Sequence, residues 1–156
     1  MKIKSLNECD FINYKKPSMV IGFSKCDFKC DREAECAVCQ NSALANAAEL
    51  VVPAESLAKR YIENPLTSAI VFGGLEPFFD YNELFETIGA FRQVTSDEIV
   101  IYTGYTEEEL ASHLPYLTSY GNIIVKFGRF IPNQESHYDE VLGVKLASPN
   151  QYAKRL

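Results

Sequence analysis

Ser68-Ala69-Ile70-Val71-Phe72-Gly73-Gly74-Leu75-Glu76-Pro77 is the stretch whose reading decides the fold. A short unbroken apolar run with β-branched residues predicts a strand buried on both faces, as in a parallel sheet covered by helices. Two glycines then end the strand and a proline punctuates the turn that follows. Three more runs have the same character: Met19–Phe23, Glu98–Tyr102 and Asn122–Phe127. Helical signals separate them. Pro53 sits where a helix begins and Pro65 just past its end near Asn64, while Asn41–Leu50 is alanine-rich and short. Asp80 predicts the cap of a helix over Tyr81–Arg92, with Leu84, Phe85, Ile88 and Phe91 on one face. Thr106 with Glu109 forms a capping-box pattern for a helix that turns Leu110, Leu114 and Leu117 inward and is shortened or bent by Pro115. Strands alternating with helices imply βαβ units, hence an α/β fold with a mostly parallel sheet.

In such sheets, ligands bind at the carboxyl ends of the strands. Three segments follow directly on predicted strands and so share one rim: a cysteine-rich segment after Met19–Phe23, Gly73–Pro77, and Thr103-Gly104-Tyr105. The first reads Cys26-Asp27-Phe28-Lys29-Cys30-Asp31-Arg32-Glu33-Ala34-Glu35-Cys36-Ala37-Val38-Cys39-Gln40-Asn41. Four of the five cysteines crowd here. Clustered cysteines in a reducing compartment point to metal or redox chemistry rather than a disulfide framework. Thiolates suit both zinc and iron–sulfur clusters. Four thiolates on one ion close the site, as in a zinc knuckle, whereas three on a [4Fe–4S] cluster leave one iron open. The cysteines alone do not choose between these. Cys9 stands apart, and a buried apolar role is the default for a solitary cysteine.

The 156 residues fit a single domain over 1–156, with the cluster loop at about 24–41. A net charge of −6 with scattered basic pairs argues against nucleic acid as a partner. No apolar run of membrane-spanning length occurs, and the N-terminal residues lack the apolar core of a signal peptide, so a cytoplasmic protein is expected. Only two histidines are present, and His113 and His137 both read as ordinary surface residues, as do the charges of Arg129 and Lys145.

With these motifs placed, the chain resembles the radical S-adenosylmethionine enzymes, and among them the anaerobic ribonucleoside-triphosphate reductase-activating protein and its relatives, from Val20 to Leu156. The resemblance is carried by the cysteine segment and by Gly73-Gly74-Leu75-Glu76-Pro77, which is similar to a GGEP element. It extends to Ile99–Tyr105 with Thr106–Leu110, to Val125–Phe130, and to the tail Leu146-Ala147-Ser148-Pro149-Asn150-Gln151. It implies a partial (βα) barrel of the radical S-adenosylmethionine type. It also implies a [4Fe–4S] cluster on Cys26, Cys30 and Cys39, with Cys36 as the alternative ligand. S-Adenosylmethionine is then expected against Gly73, Gly74, Glu76, Tyr102, Thr103, Gly104 and Asn41; Phe28, between the cysteines, reads equally as a shield for the cluster or as ordinary packing. The implied activity is oxidoreductase chemistry of an anaerobic metabolism. An electron from a low-potential donor such as flavodoxin or ferredoxin cleaves the cofactor to methionine and a 5′-deoxyadenosyl radical. That radical takes a hydrogen atom from a glycine of a partner glycyl-radical enzyme, the anaerobic ribonucleotide reductase being the first candidate. No side chain need serve as acid or base catalyst. Three departures from the family pattern stand out: eight residues rather than two separate Cys30 from Cys39, Leu75 precedes Glu76, and Lys126 occupies a strand position where the family usually has an acidic residue. The competing expectation is a non-catalytic zinc or iron–sulfur interaction module with a closed four-thiolate site.

Overall fold

The computed structural model describes residues 1–156. In chain order it contains β1 (Lys2–Asp10), β2 (Ser18–Phe23), α1 (Lys29–Ala34), α2 (Ser42–Ala45), β3 (Leu50–Val51), α3 (Ala54–Glu63) and β4 (Ala69–Gly74). A 3₁₀ turn at Pro77–Phe79 leads into α4 (Tyr81–Arg92), followed by β5 (Glu98–Tyr102), α5 (Leu114–Ser119), β6 (Ile123–Phe127), the short β7 (His137–Asp139) and β8 (Val144–Leu146), and β9 (Tyr152–Arg155). Seven strands form one sheet in the order β3-β1-β2-β4-β5-β6-β9, and β7 pairs with β8 as a separate hairpin. The pairings β2–β4, β4–β5 and β5–β6 are parallel. Antiparallel strands flank them: β1 and β3 on one side, β9 on the other. The structure is thus α/β with a mixed sheet whose centre is parallel. No helix is long and apolar enough to cross a membrane.

Strand alternation sorts the core into two layers. Met19, Ile21, Ile70, Phe72, Ile99, Ile101, Ile123 and Val125 point to one face and pack against Leu57, Ala58 and Tyr61 of α3 and Leu84, Ile88 and Phe91 of α4. Ala69, Val71, Val100 and Ile124 point to the other face, under Tyr14 of the β1–β2 connection and under Leu142 and Leu146 of the β7–β8 hairpin. Helices thus cover the first face. The second is covered only by a loop and a hairpin, and its rim end stays open.

The cap at Asp80 forms as predicted, its carboxylate accepting the Glu83 N–H at 3.2 Å. The capping box at Thr106 also forms: Thr106 donates its N–H to Glu109, and Glu109 donates its N–H to the Thr106 hydroxyl. No continuous helix follows, however. Residues 107–113 make successive turns, and regular helix begins only at Leu114. Pro115 accounts for this, because it has no N–H to donate one turn back and its ring collides with the carbonyl there. It is accommodated instead in the first turn of α5, where no N–H is needed. Leu110 and Leu117 are buried as expected, while Leu114 is half-buried.

At the opposite end of the sheet from the rim, Glu98 binds three elements together. Its carboxylate accepts from Tyr14 Oη at 2.7 Å and pairs with Lys16 at 2.8 Å, and Arg155 of β9 closes the set. Burial by itself would push the Glu98 carboxyl up. The hydrogen bonds from Lys16, Tyr14 and Arg155 outweigh burial and hold it down at about 2. A depressed carboxyl contributes stability that is complete above its unfolded value, near 4.3, and is lost as pH falls toward the folded value. Acid titration of unfolding should therefore show a loss of about 2 kcal/mol between roughly pH 4.5 and 2. Glu98→Gln should remove that loss and leave the rest of the profile in place; an unaltered acid limb in Glu98→Gln would contradict the assignment.

Candidate metal centre

The cysteine segment leaves β2 at the rim, and its first half is not the plain loop expected. Phe28 adopts a left-handed conformation (φ 53°) and opens α1, which ends in a second left-handed residue, Glu35 (φ 51°). The chain then doubles back, passes Cys36 to Cys39, and enters the short α2. Gly73 and Gly74, expected to end the strand, are the last two paired residues of β4. Asn41 Nδ2 donates to the Gly74 carbonyl at 2.6 Å, which ties the end of the cysteine segment to the end of β4. That strand end depends on glycine at position 74. Its φ is +82°, and a Cβ there would lie 2.6 Å from Gly22 Cα in the neighbouring strand. Backbone contacts of this kind do not give way, and the conformation is itself unfavourable for other residues. Gly74→Ala should cost about 2 kcal/mol or more in denaturant unfolding, whereas Gly89→Ala, on an open helix surface with nothing near a Cβ, should be neutral or stabilising.

The rim encloses a cleft of about 330 Å³ over the second face of the sheet. Cys26, Cys30 and Cys39 line it, and Cys36 does not; Cys36 is exposed. Gly73, Gly74, Glu76, Tyr102, Thr103, Gly104 and Asn41, each singled out from the sequence, line the same cleft. Glu76 is buried beneath it. Its carboxylate accepts from the Thr103 hydroxyl at 2.7 Å, the Gly104 N–H at 2.9 Å and the Phe78 N–H at 3.1 Å, so it clamps the β4 rim to the β5 rim. Burial pushes this carboxyl up to about 7, against those three donors. Leu75, ahead of it in the motif, does not carry Glu76 out of the cleft. Tyr102 donates its hydroxyl to the Asn13 carbonyl, which fixes the side wall.

Burial dominates the chemistry of the thiols. It pushes Cys26 up to about 12, with the Phe28 N–H, 3.2 Å from its sulfur, acting against it. It pushes Cys30 up as well. Cys39 is near enough for its charge to raise both. Cys26 and Cys30 are thereby held toward the protonated thiol, and a metal that binds there must displace their protons. No three His, Cys, Asp or Glu side chains are gathered tightly enough to cage a single ion. A lone zinc requires all its thiolates about 2.3 Å from one point, whereas a cluster of four irons spreads its ligands around a cube. Three soft donors lining one cleft are the ligand type an iron–sulfur cluster takes.

Further residues shape the site and its surroundings. Lys126 lines the cleft floor with 6% exposure, and burial pulls its ammonium down to about 8. Its Nζ donates to the Gly128 carbonyl at 2.8 Å. Strand period was the available signal: Lys126 shares a face with Ile124, the buried side. Gln151 braces the tail, accepting from the Ala147 N–H at 3.0 Å and donating to the Gly128 carbonyl at 3.3 Å. Arg129, expected on the surface, is only 11% exposed; it pairs with Glu109 at 2.7 Å and with Glu33 of α1 at 2.9 Å. Lys29 joins the same Glu109 at 2.9 Å, so this network clasps α1 to the β5 and β6 rims. Lys145 is exposed as expected but belongs to the cleft wall. His113 is half-buried, stacked on Tyr81 with ring centroids 3.7 Å apart, and Cys9 is half-buried rather than buried.

The α/β sheet thus gathers three soft donors from one loop at the carboxyl ends of its parallel strands, the kind of donor set that iron–sulfur proteins use. The chain belongs to the 4Fe-4S single cluster domain family, whose model matches residues 19–151 and so spans the cysteine segment, the glycine pair and the tail to Gln151. Comparison with curated proteins and with solved structures finds no match.

Proposed function

We propose that this protein is a radical S-adenosylmethionine activase that generates a glycyl radical on a partner enzyme, the anaerobic ribonucleotide reductase being the first candidate. One observation carries the reading. The three candidate cluster ligands and all seven rim residues named from the sequence border a single cleft, and the fourth cysteine of the segment stays outside it. Three thiolates leave one iron of the cluster without a protein ligand, which is the condition for a small molecule to bind there.

When bound, the cluster and S-adenosylmethionine together supply one-electron chemistry that no side chain can perform. The chain's own residues orient the cofactor and keep water out. Gly73 and Gly74 let a ligand approach the strand end closely. Glu76 holds the Thr103–Gly104 backbone in place and keeps lone-pair capacity on Oε2, which accepts the Gly104 N–H. Lys126 offers a buried ammonium with one protein acceptor, suited to the carboxylate of an amino-acid moiety. Tyr102 and Thr103 form the wall on which the nucleoside end rests. The cleft opens at the rim, where a macromolecular partner can present its glycine, and the partial barrel of this enzyme class is one way for the sheet to curve around the ligand. A low-potential donor such as flavodoxin or ferredoxin supplies the electron.

The test is anaerobic reconstitution with iron and sulfide, followed by incubation with dithionite and S-adenosylmethionine. The expected result is 5′-deoxyadenosine and methionine, produced only with the cluster present. A fully loaded cluster that yields neither product would overturn the enzyme reading and leave a closed iron–sulfur module; tight zinc binding with no cluster would overturn the cofactor as well.

A further inference from the structure

We infer that Asp31 is a positioning residue that brings Cys39 back to the cluster site across the long Cys30–Cys39 interval; this inference rests on the cluster reading above. Eight residues separate the two cysteines. An extended chain of that length reaches about 30 Å, so the spacing by itself does not place Cys39 beside Cys30. Closing a flexible loop also costs entropy that cluster binding would have to offset.

Asp31 removes this freedom. Its Oδ1 accepts the N–H of Val38 at 2.8 Å and the N–H of Cys39 at 2.8 Å. Its main-chain carbonyl accepts the Cys36 N–H at 3.2 Å. One residue, adjacent in sequence to Cys30, thus holds three amides of the returning strand of the loop. The reversal itself is made at the end of α1, where left-handed Glu35 returns its N–H to the Arg32 carbonyl. The result is a closed loop in which Cys39 is pinned by its own amide next to Cys30 and lines the cleft. Cys36 is tied by its amide and left on the outside, exposed. The same loop therefore chooses which of the two cysteines in Cys36-Ala37-Val38-Cys39 faces the cluster. Carboxylate-to-amide bonds are among the stronger hydrogen bonds, and both fall on one oxygen that an asparagine also possesses.

Two variants test the role, with Gly89→Ala as a neutral reference. In the apoprotein, amide hydrogen exchange of a peptide covering residues 36–41 should quicken about tenfold or more in Asp31→Ala and stay near wild type in Asp31→Asn. After anaerobic reconstitution, Asp31→Ala should hold severalfold less iron and acid-labile sulfide per chain than wild type and lose its visible absorption faster, while Asp31→Asn should recover most of both. Far-UV dichroism and the apoprotein melting temperature should match wild type in both variants, which separates loop closure from global folding. Wild-type exchange and wild-type iron content in Asp31→Ala would overturn the inference. So would an Asp31→Asn protein as impaired as Asp31→Ala, since the charge rather than the acceptor would then be the active feature. Wild-type protein that takes up no cluster overturns the cluster reading itself, a different outcome from either of these.

Discussion

Cys26→Ala, Cys30→Ala and Cys39→Ala should each abolish the iron–sulfur chromophore on anaerobic reconstitution, whereas Cys36→Ala should retain it. The reasoning is geometric. The first three thiols border one cleft; Cys36 is exposed and its amide is tied back to Asp31. A cluster with three protein ligands that loses one is left with two, and the binding free energy that a metal site contributes to its local fold goes with it. Iron content should fall to near background in the three ligand variants and stay at four irons per chain, the cluster's own stoichiometry, in Cys36→Ala. If iron is lost in Cys36→Ala and kept in any one of the others, the ligand set named here is wrong.

Lys126→Met should separate ligand binding from folding. A buried ammonium is expensive, and burial already pulls Lys126 down to about 8 with only the Gly128 carbonyl to satisfy it. An unbranched apolar side chain of similar length relieves that cost, so the apoprotein should melt at the wild-type temperature or higher. S-Adenosylmethionine affinity should nevertheless fall about a hundredfold, as expected when one buried charged hydrogen bond to a carboxylate is lost. Iron and sulfide content should not change. Equilibrium binding to the reconstituted, oxidised protein reads the affinity, and calorimetry reads the stability. Unaltered affinity would remove Lys126 from the ligand site.

The central strands were legible because Met19, Ile21, Ile70, Phe72, Ile99 and Ile101 are buried beside apolar neighbours, with no polar residue to break the pattern. The flanking strands were not. β1 reads Lys-Ile-Lys-Ser-Leu-Asn-Glu-Cys-Asp, and its pairing with β2 is interrupted by register shifts between Ile3 and Ser5 and between Asn7 and Asp10. Neither strand period nor composition survives in such a segment. β9, Tyr-Ala-Lys-Arg, is short and charged and becomes a strand only because β6 offers it an open edge.

The site divides in the same way. Gly73, Gly74, Glu76 and Thr103 could be found because each closes or follows a strand that the sequence announces, and a strand end fixes where the next few residues lie. Arg129 and Asp31 could not, because what matters about them is a partner elsewhere: Glu109 and Glu33 for Arg129, the amides of Val38 and Cys39 for Asp31. The departure in the cysteine spacing was visible as an irregularity; its resolution into a loop pinned by one carboxylate is a tertiary fact.

The most direct test of the central claim is electron paramagnetic resonance of the reduced, reconstituted protein before and after addition of S-adenosylmethionine. An iron free of protein ligands predicts a [4Fe–4S]⁺ signal whose g values shift on addition, and shift equally in Cys36→Ala. A signal that S-adenosylmethionine leaves unmoved, in a protein with a full complement of iron, would mean that no iron accepts the cofactor and would contradict the account.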